Sequence, residues 1–172
     1  VTKGDLNSEL TNKSLIQLGA KLVSNFKVLA TNHTSFTVSS LDRFLSFLCE
    51  GLGFNLLNRS PRDPKRIEEI TGIKGAENEV AYVQGPGHRL ELIEYSNPAD
   101  RKVVDCRPCD PGYAHLAYDV DNLAAAMATA EEYTFVKMSN PVTVDNGPNK
   151  GNRIVYMRDV DGITIEFIEK NS

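Results

Sequence analysis

With 172 residues, 41% of them hydrophobic, the chain has enough apolar surface for one globular domain with a real core, and no run of about 18 uninterrupted apolar residues suggests a membrane span. The net charge of -4 comes with basic residues scattered along the chain, which argues against a nucleic-acid surface or a lipid-binding patch. Cys49, Cys106 and Cys109 are an odd number that fits no secreted disulfide framework, so a reducing, cytoplasmic setting is expected.

In chain order, residues 1–30 read as a polar lead followed by a helix. Leu15, Leu18, Leu22 and Phe26 recur at helical spacing over residues 13–28, with Thr11 or Asn12 as the cap. Thr34, Phe36 and Val38 then alternate with His33, Ser35 and Thr37, the pattern of a strand with one apolar face. Ser39 or Ser40 caps a helix whose Leu41, Phe44, Leu45 and Leu48 make one stripe, ended by Gly51 and Gly53. The strand-like runs FNLLNR, EVAYVQ and RLELIEY follow, interrupted by RDPKRIEEITGIKG (62–75) as a short helix or loop. Beyond a linker at 99–112, Leu116, Tyr118 and Val120 alternate with His115, Ala117 and Asp119. Asp121 or Asn122 caps a helix carrying Leu123, Ala126, Met127 and Ala130, and TFVKM, RIVYMR and ITIEFIEK read as strands. Between the last two, Asp161-Gly162 signals a hairpin turn, supported by Arg158 and Asp159. Residues 139–153 (SNPVTVDNGPNKGNR) read as a polar loop.

The order of these elements repeats. NHTSFTVSSL and AHLAYDVDNL both read His-x4-Val-x2-Leu, and LELIEY and IEFIEK both read apolar-Glu-apolar-Ile-Glu. The histidines are 82 positions apart (115 minus 33) and the leading glutamates 75 apart (166 minus 91). Two unrelated patterns recurring in one order at nearly one offset mark a tandem duplication. Each module is a strand, a helix and about three strands: residues 31–98 and 113–172, within one structural domain.

The repetition singles out four polar side chains. A lone strand histidine is more often a hydrogen-bonded core residue than a ligand. Here, however, each His opens the first strand of a module, and Glu91 and Glu166 sit in the last strand among Leu90, Leu92, Ile165 and Phe167. A carboxylate in so apolar a strand is costly to bury unless it is paired or binds a metal. His33, Glu91, His115 and Glu166 are therefore expected to share one site. Glu94 and Glu169 have the opposite strand parity and read as solvated. Two imidazoles and two carboxylates without a thiolate suit Mn, Fe, Co, Ni or Zn. Cys106 and Cys109 form a single C-x-x-C, read as linker rather than a zinc or redox site.

Through NHTSFTV…LDRFLSFLCEGLGF, LELIEY, AHLAYDV and RDVDGITIEFIE the chain resembles the vicinal oxygen chelate superfamily, which includes glyoxalase I, methylmalonyl-CoA epimerase, fosfomycin-modifying enzymes and extradiol dioxygenases. The resemblance covers about residues 32–170. It implies an α+β fold in which tandem βαβββ modules form a cup-shaped mixed β-sheet with helices outside, here with an added N-terminal helix. It also implies one divalent metal ion held by His33, Glu91, His115 and Glu166, in a cup closed within one chain or by halves exchanged across a homodimer. A homodimer acting on a small molecule is expected.

Four protein ligands leave room on the ion for a substrate with two adjacent oxygens, and a ligating Glu can move a proton at the neighbouring carbon. The resulting expectation is a lyase or isomerase of the glyoxalase or epimerase type, with Glu91 and Glu166 as catalytic groups. The first alternative is an Fe(II) ring-cleaving dioxygenase, which Glu91 as a fourth ligand disfavours. The second is a non-catalytic binding or resistance protein, disfavoured because such relatives lack the ligands present here. In glyoxalase I an Arg for glutathione stands four residues after the first His. Here that position is Thr37, so the overall pattern looks closer to the glyoxalase-like and epimerase-like branch. Thr37, together with Lys150 and Arg153 in the loop that covers the cup in relatives, completes the substrate-facing candidates.

Overall fold

The computed structural model describes residues 25–170. The chain divides into two compact units, Val1–Asn32 and His33–Ser172. In the first, residues 25–32 carry no helix or strand. The helix expected over 13–28 lies mainly outside the described residues, and its last four positions are not helical.

The second unit holds both modules, each with its own sheet. In the first module, β1 (Thr34–Thr37), β2 (Asn55–Pro61), β3 (Glu77–Gly85) and β4 (His88–Asn97) lie in the order β1-β4-β3-β2. Only the β1–β4 contact is parallel. The second module repeats this with β5 (Leu116–Val120), β6 (Val136–Lys137), β8 (Arg153–Arg158) and β9 (Thr164–Glu169) in the order β5-β9-β8-β6, again with the first and last strands parallel. A short β7 (Val142–Thr143) pairs with β8, so the segment 139–153 is not wholly loop as expected. Two residues are too short a run to show a strand period.

Between the first two strands of each module runs a helix. α1 (Leu41–Ser46) starts at Ser40, whose hydroxyl accepts from the Arg43 amide at 3.2 Å, and continues as a π-helical turn, Phe47–Gly51. α3 (Leu123–Glu132) starts at Asn122, whose side chain accepts from the Ala125 amide at 3.0 Å. The 62–75 segment contains α2 (Pro64–Thr71), capped by Asp63 and closed by Gly72 at φ 71°, a left-handed conformation that glycine adopts without strain. No helix among the described residues is long and apolar enough to cross a membrane.

Strand alternation sends Ala81, Val83, Leu90 and Leu92 to the helix side of the first sheet, all fully buried. Val155, Met157, Ile165 and Phe167 do the same in the second module, and all these residues join one core. Its centre is aromatic: the Phe47 and Phe135 rings lie 4.3 Å apart, with Phe44 packed 6.0 Å from Phe47 and 6.1 Å from Phe135. Burying each such ring contributes about 2 kcal/mol. The two modules are thus joined through their helices.

The glutamates read as solvated, Glu94 and Glu169, have defined partners. Glu94 Oε2 accepts from the Leu41 amide at 2.6 Å, and Glu169 Oε1 from the Leu123 amide at 2.9 Å. Both amides are the first of a helix, where N–H groups have no partner within the helix and attract negative charge. Pairing the first strand alongside the last brings that strand's end under the helix start, which strand parity alone does not show. A second connection joins the modules. Arg43 of α1 donates to buried Asp159 at 3.1 Å and to Asp161 in the β8–β9 turn. There Asp159 also accepts from the Asp161 and Ile163 amides.

Candidate metal centre

His33 and His115 each lie one residue ahead of the first strand of their module. Parallel pairing sets Ser35 beside Glu91 and Ala117 beside Glu166. Each histidine thereby meets its own module's glutamate across the sheet end. His33 Nε2 lies 3.3 Å from Glu91 Oε2, and His115 Nε2 lies 3.0 Å from Glu166 Oε2. Burial matches too: the imidazoles are 30% and 32% exposed and the carboxylates 14% and 11%. Each pair is therefore open on the histidine side, where an ion could enter. Two donors about 2.1 Å from one ion at right angles are about 3 Å apart, so both separations suit ligation of a common ion. Donor chemistry and spacing fit a divalent metal.

One chain nevertheless supplies these donors as two separate pairs. Among the described residues, no group of three or more His, Cys, Asp or Glu side chains is placed to hold a metal ion. Cys106 and Cys109 are free thiols.

A tyrosine stands beside each pair. Register places Tyr82 directly opposite Glu91 and Tyr156 directly opposite Glu166. The Tyr82 hydroxyl donates to Glu91 Oε1, and its ring meets the His33 ring edge-on at 5.8 Å. Accepting that bond, Glu91 holds the Tyr82 phenol above its ordinary pKa, with burial adding to the effect. Tyr156 lies against His115 at 4.8 Å, and Tyr113 covers the same imidazole at 6.0 Å. Burial raises the Tyr156 phenol, and the Glu166 charge raises it further. The two tyrosines are 74 positions apart (156 minus 82), close to the offset of the glutamates. That repetition in EVAYVQ and RIVYMR was the signal that could have found them.

The substrate-facing candidates lie elsewhere. Thr37 ends β1 and, with Val38, Ser39, the 101–104 segment and Asp161, lines a depression of about 270 Å³. Lys150 is exposed in the loop between β7 and β8. Arg153 ion-pairs with Glu169 at 3.1 Å, on the sheet face opposite Glu166, because it lies an odd offset of three positions (156 minus 153) from Tyr156. The open cavity at Glu166 is about 490 Å³, and Pro108, Met138, Val142, Ile154 and Tyr156 line it with Glu166. This wall is largely apolar.

Residues 30–167 match the Glyoxalase/Bleomycin resistance protein/Dioxygenase superfamily. The chain belongs to that superfamily. Among its relatives, a 2-epi-5-epi-valiolone epimerase from Actinomyces sp is 30% identical over 145 residues, 81% of this chain and 79% of the relative. A lactoylglutathione lyase from Haemophilus influenzae is 29% identical over 148 residues, 81% of this chain and 92% of the lyase. A glyoxalase family protein from Bacillus cereus shares the fold with a TM-score of 0.73 at 23% identity, over 87% of this chain and 99% of that one. Superfamily membership thus agrees with the α+β modules, and the relatives include both an epimerase and a lyase.

Proposed function

We propose that the protein is a divalent-metal-dependent lyase or isomerase whose centre is completed by two copies of the chain. The observation that carries this reading is the repeated His–Glu pair, at 3.3 Å in one module and 3.0 Å in the other. His33 and Glu91 of one chain would hold the ion together with His115 and Glu166 of a second. The two-chain arrangement is favoured because the helices join the modules of one chain, while no group of three donors forms among the described residues. Val136 and Val142, near the Glu166 cavity, are 64% and 58% exposed, an apolar rim suited to burial against a second copy.

A bound ion would supply Lewis-acid stabilisation of oxyanion charge on a substrate with two adjacent oxygens. The chain's own groups do the rest. Glu91 and Glu166 are the carboxylates placed to take up and return a proton at the carbon beside those oxygens. The apolar wall of Met138, Val142 and Ile154 excludes water from the substrate's carbon skeleton. Names of the relatives suggest two substrates to try, lactoylglutathione and 2-epi-5-epi-valiolone.

The test is metal analysis of the purified protein, followed by turnover of these substrates, a CoA thioester and catechol across Mn, Fe, Co, Ni and Zn. Expected is one divalent ion per His2Glu2 set, with turnover lost by a factor of roughly 100 or more in Glu166→Gln. Oxygen uptake with iron and catechol, or full turnover by Glu166→Gln, would refute the reading.

A further inference from the structure

The two half-sites share a plan but differ in how each carboxylate is held. In the first module both Glu91 oxygens are engaged: Oε1 accepts the Tyr82 hydroxyl, and Oε2 faces His33 Nε2 at 3.3 Å. In the second, Glu166 Oε2 faces His115 at 3.0 Å, and no hydrogen bond from a described residue reaches Oε1. The Tyr156 hydroxyl instead lies 3.5 Å from His115 Nε2. Tyr82 is itself braced. The Arg62 guanidinium covers its ring at 5.9 Å, and Arg62 donates in turn to Ser60 Oγ at 3.0 Å. The edge contact with His33 is a second packing constraint on the ring.

We propose that Tyr82 is a positioning residue that holds Glu91 with only one oxygen free to face an ion, a brace that no described residue gives Glu166. A carboxylate tied by one oxygen to a braced phenol can present only the other oxygen to an ion, and turning away would break the hydroxyl bond. Among the described residues nothing donates to Glu166 Oε1, so the brace is particular to Glu91. The proposal rests on the metal reading above. It assigns the orientation of Glu91 to a residue that would not touch the ion.

The test uses cobalt(II), whose visible spectrum reports coordination. Tyr82→Phe keeps the ring and its contacts with Arg62 and His33 while removing the hydroxyl. It should weaken cobalt binding roughly tenfold and change the spectrum. In a Glu91→Ala background, Tyr82→Phe should have no further effect, because its action passes through that carboxylate. Arg62→Ala, which unbraces the ring, should weaken binding in the same direction by a smaller factor, and serves if Tyr82→Phe folds poorly. Wild-type protein that binds no cobalt overturns the metal reading and this proposal together. Cobalt binding that neither Tyr82→Phe nor Arg62→Ala alters overturns the role of Tyr82 alone, as does an equal loss with Glu91 already removed.

Discussion

Glu94 and Glu169 show how one carboxylate can serve a helix and a strand at once. Each closes a last strand and accepts the first amide of the helix beside it. That amide bond is the main reason Glu169 titrates below an ordinary glutamate, with the Arg153 ion pair helping. Because its folded pKa is depressed, its contribution to stability is present above the pKa of the free acid and is lost as pH falls through the lower folded value. Glu169→Gln should therefore lower the urea midpoint at neutral pH and match the wild type once Glu169 of the wild type is protonated in acid. In the other module, Glu94→Ala should cost about 1 kcal/mol in the same measurement, the usual loss for an N-terminal helix partner. A midpoint indifferent to both substitutions would show that the helix starts are held by α1 and α3 packing alone.

At the scale of elements, the Arg43 clamp links α1 to the β8–β9 turn. The Asp159 side chain is fully buried, and burial raises its pKa while Arg43 opposes that rise. Arg43→Ala would leave the buried charge without its cation and should cost about 3 kcal/mol at neutral pH. The sign with pH is opposite to that of Glu169. A carboxyl raised in the fold is penalised when ionised and relieved as pH falls through its raised value. The gap between Arg43→Ala and wild type in urea titrations should narrow as pH falls and Asp159 protonates in the variant, and a gap that widens on acidification would contradict the clamp.

Much of this level was legible in the sequence. Alternation marked the apolar faces of the first strands, Phe36 and Val38 in one module and Tyr118 and Val120 in the other, and Ser40 and Asn122 stood among the expected caps. The candidate pairs were legible because duplication doubled a weak signal. What escaped was long-range. The seat of Glu94 and Glu169 depends on parallel strand pairing, β7 has too few residues for a period, and Tyr82 and Tyr156 resemble ordinary polar positions of an alternating strand until register sets them opposite the glutamates.

At the scale of the whole molecule, the shared helix core decides which halves can meet. The aromatic group of Phe44, Phe47 and Phe135 joins the modules of one chain, and each His–Glu pair stands apart from the other. The proposed two-chain centre makes a specific prediction for mixtures. His33→Ala and His115→Ala proteins should each be inactive alone. Unfolded together and refolded, they should recover about one quarter of wild-type activity, because half the dimers are mixed and each mixed dimer holds one intact centre of two. If each chain closed its own cup, every centre would carry a lesion and nothing would be recovered.

The parallel contacts of β1 with β4 and β5 with β9 also bear on how the chain reaches this state. Each joins the first strand of a module to its last, so His33 waits for a partner 58 positions on (91 minus 33) and His115 for one 51 positions on (166 minus 115). Closing such loops costs chain entropy before any contact repays it, whereas the β3–β4 and β8–β9 hairpins close locally. The hairpins are therefore expected to form first, with the histidines reaching their glutamates later, an order that pulsed hydrogen exchange during refolding would check. In the proposed centre, affinity for an ion would arise only after β9 has joined the sheet and a second copy has docked, so ion binding would report on completed folding and assembly.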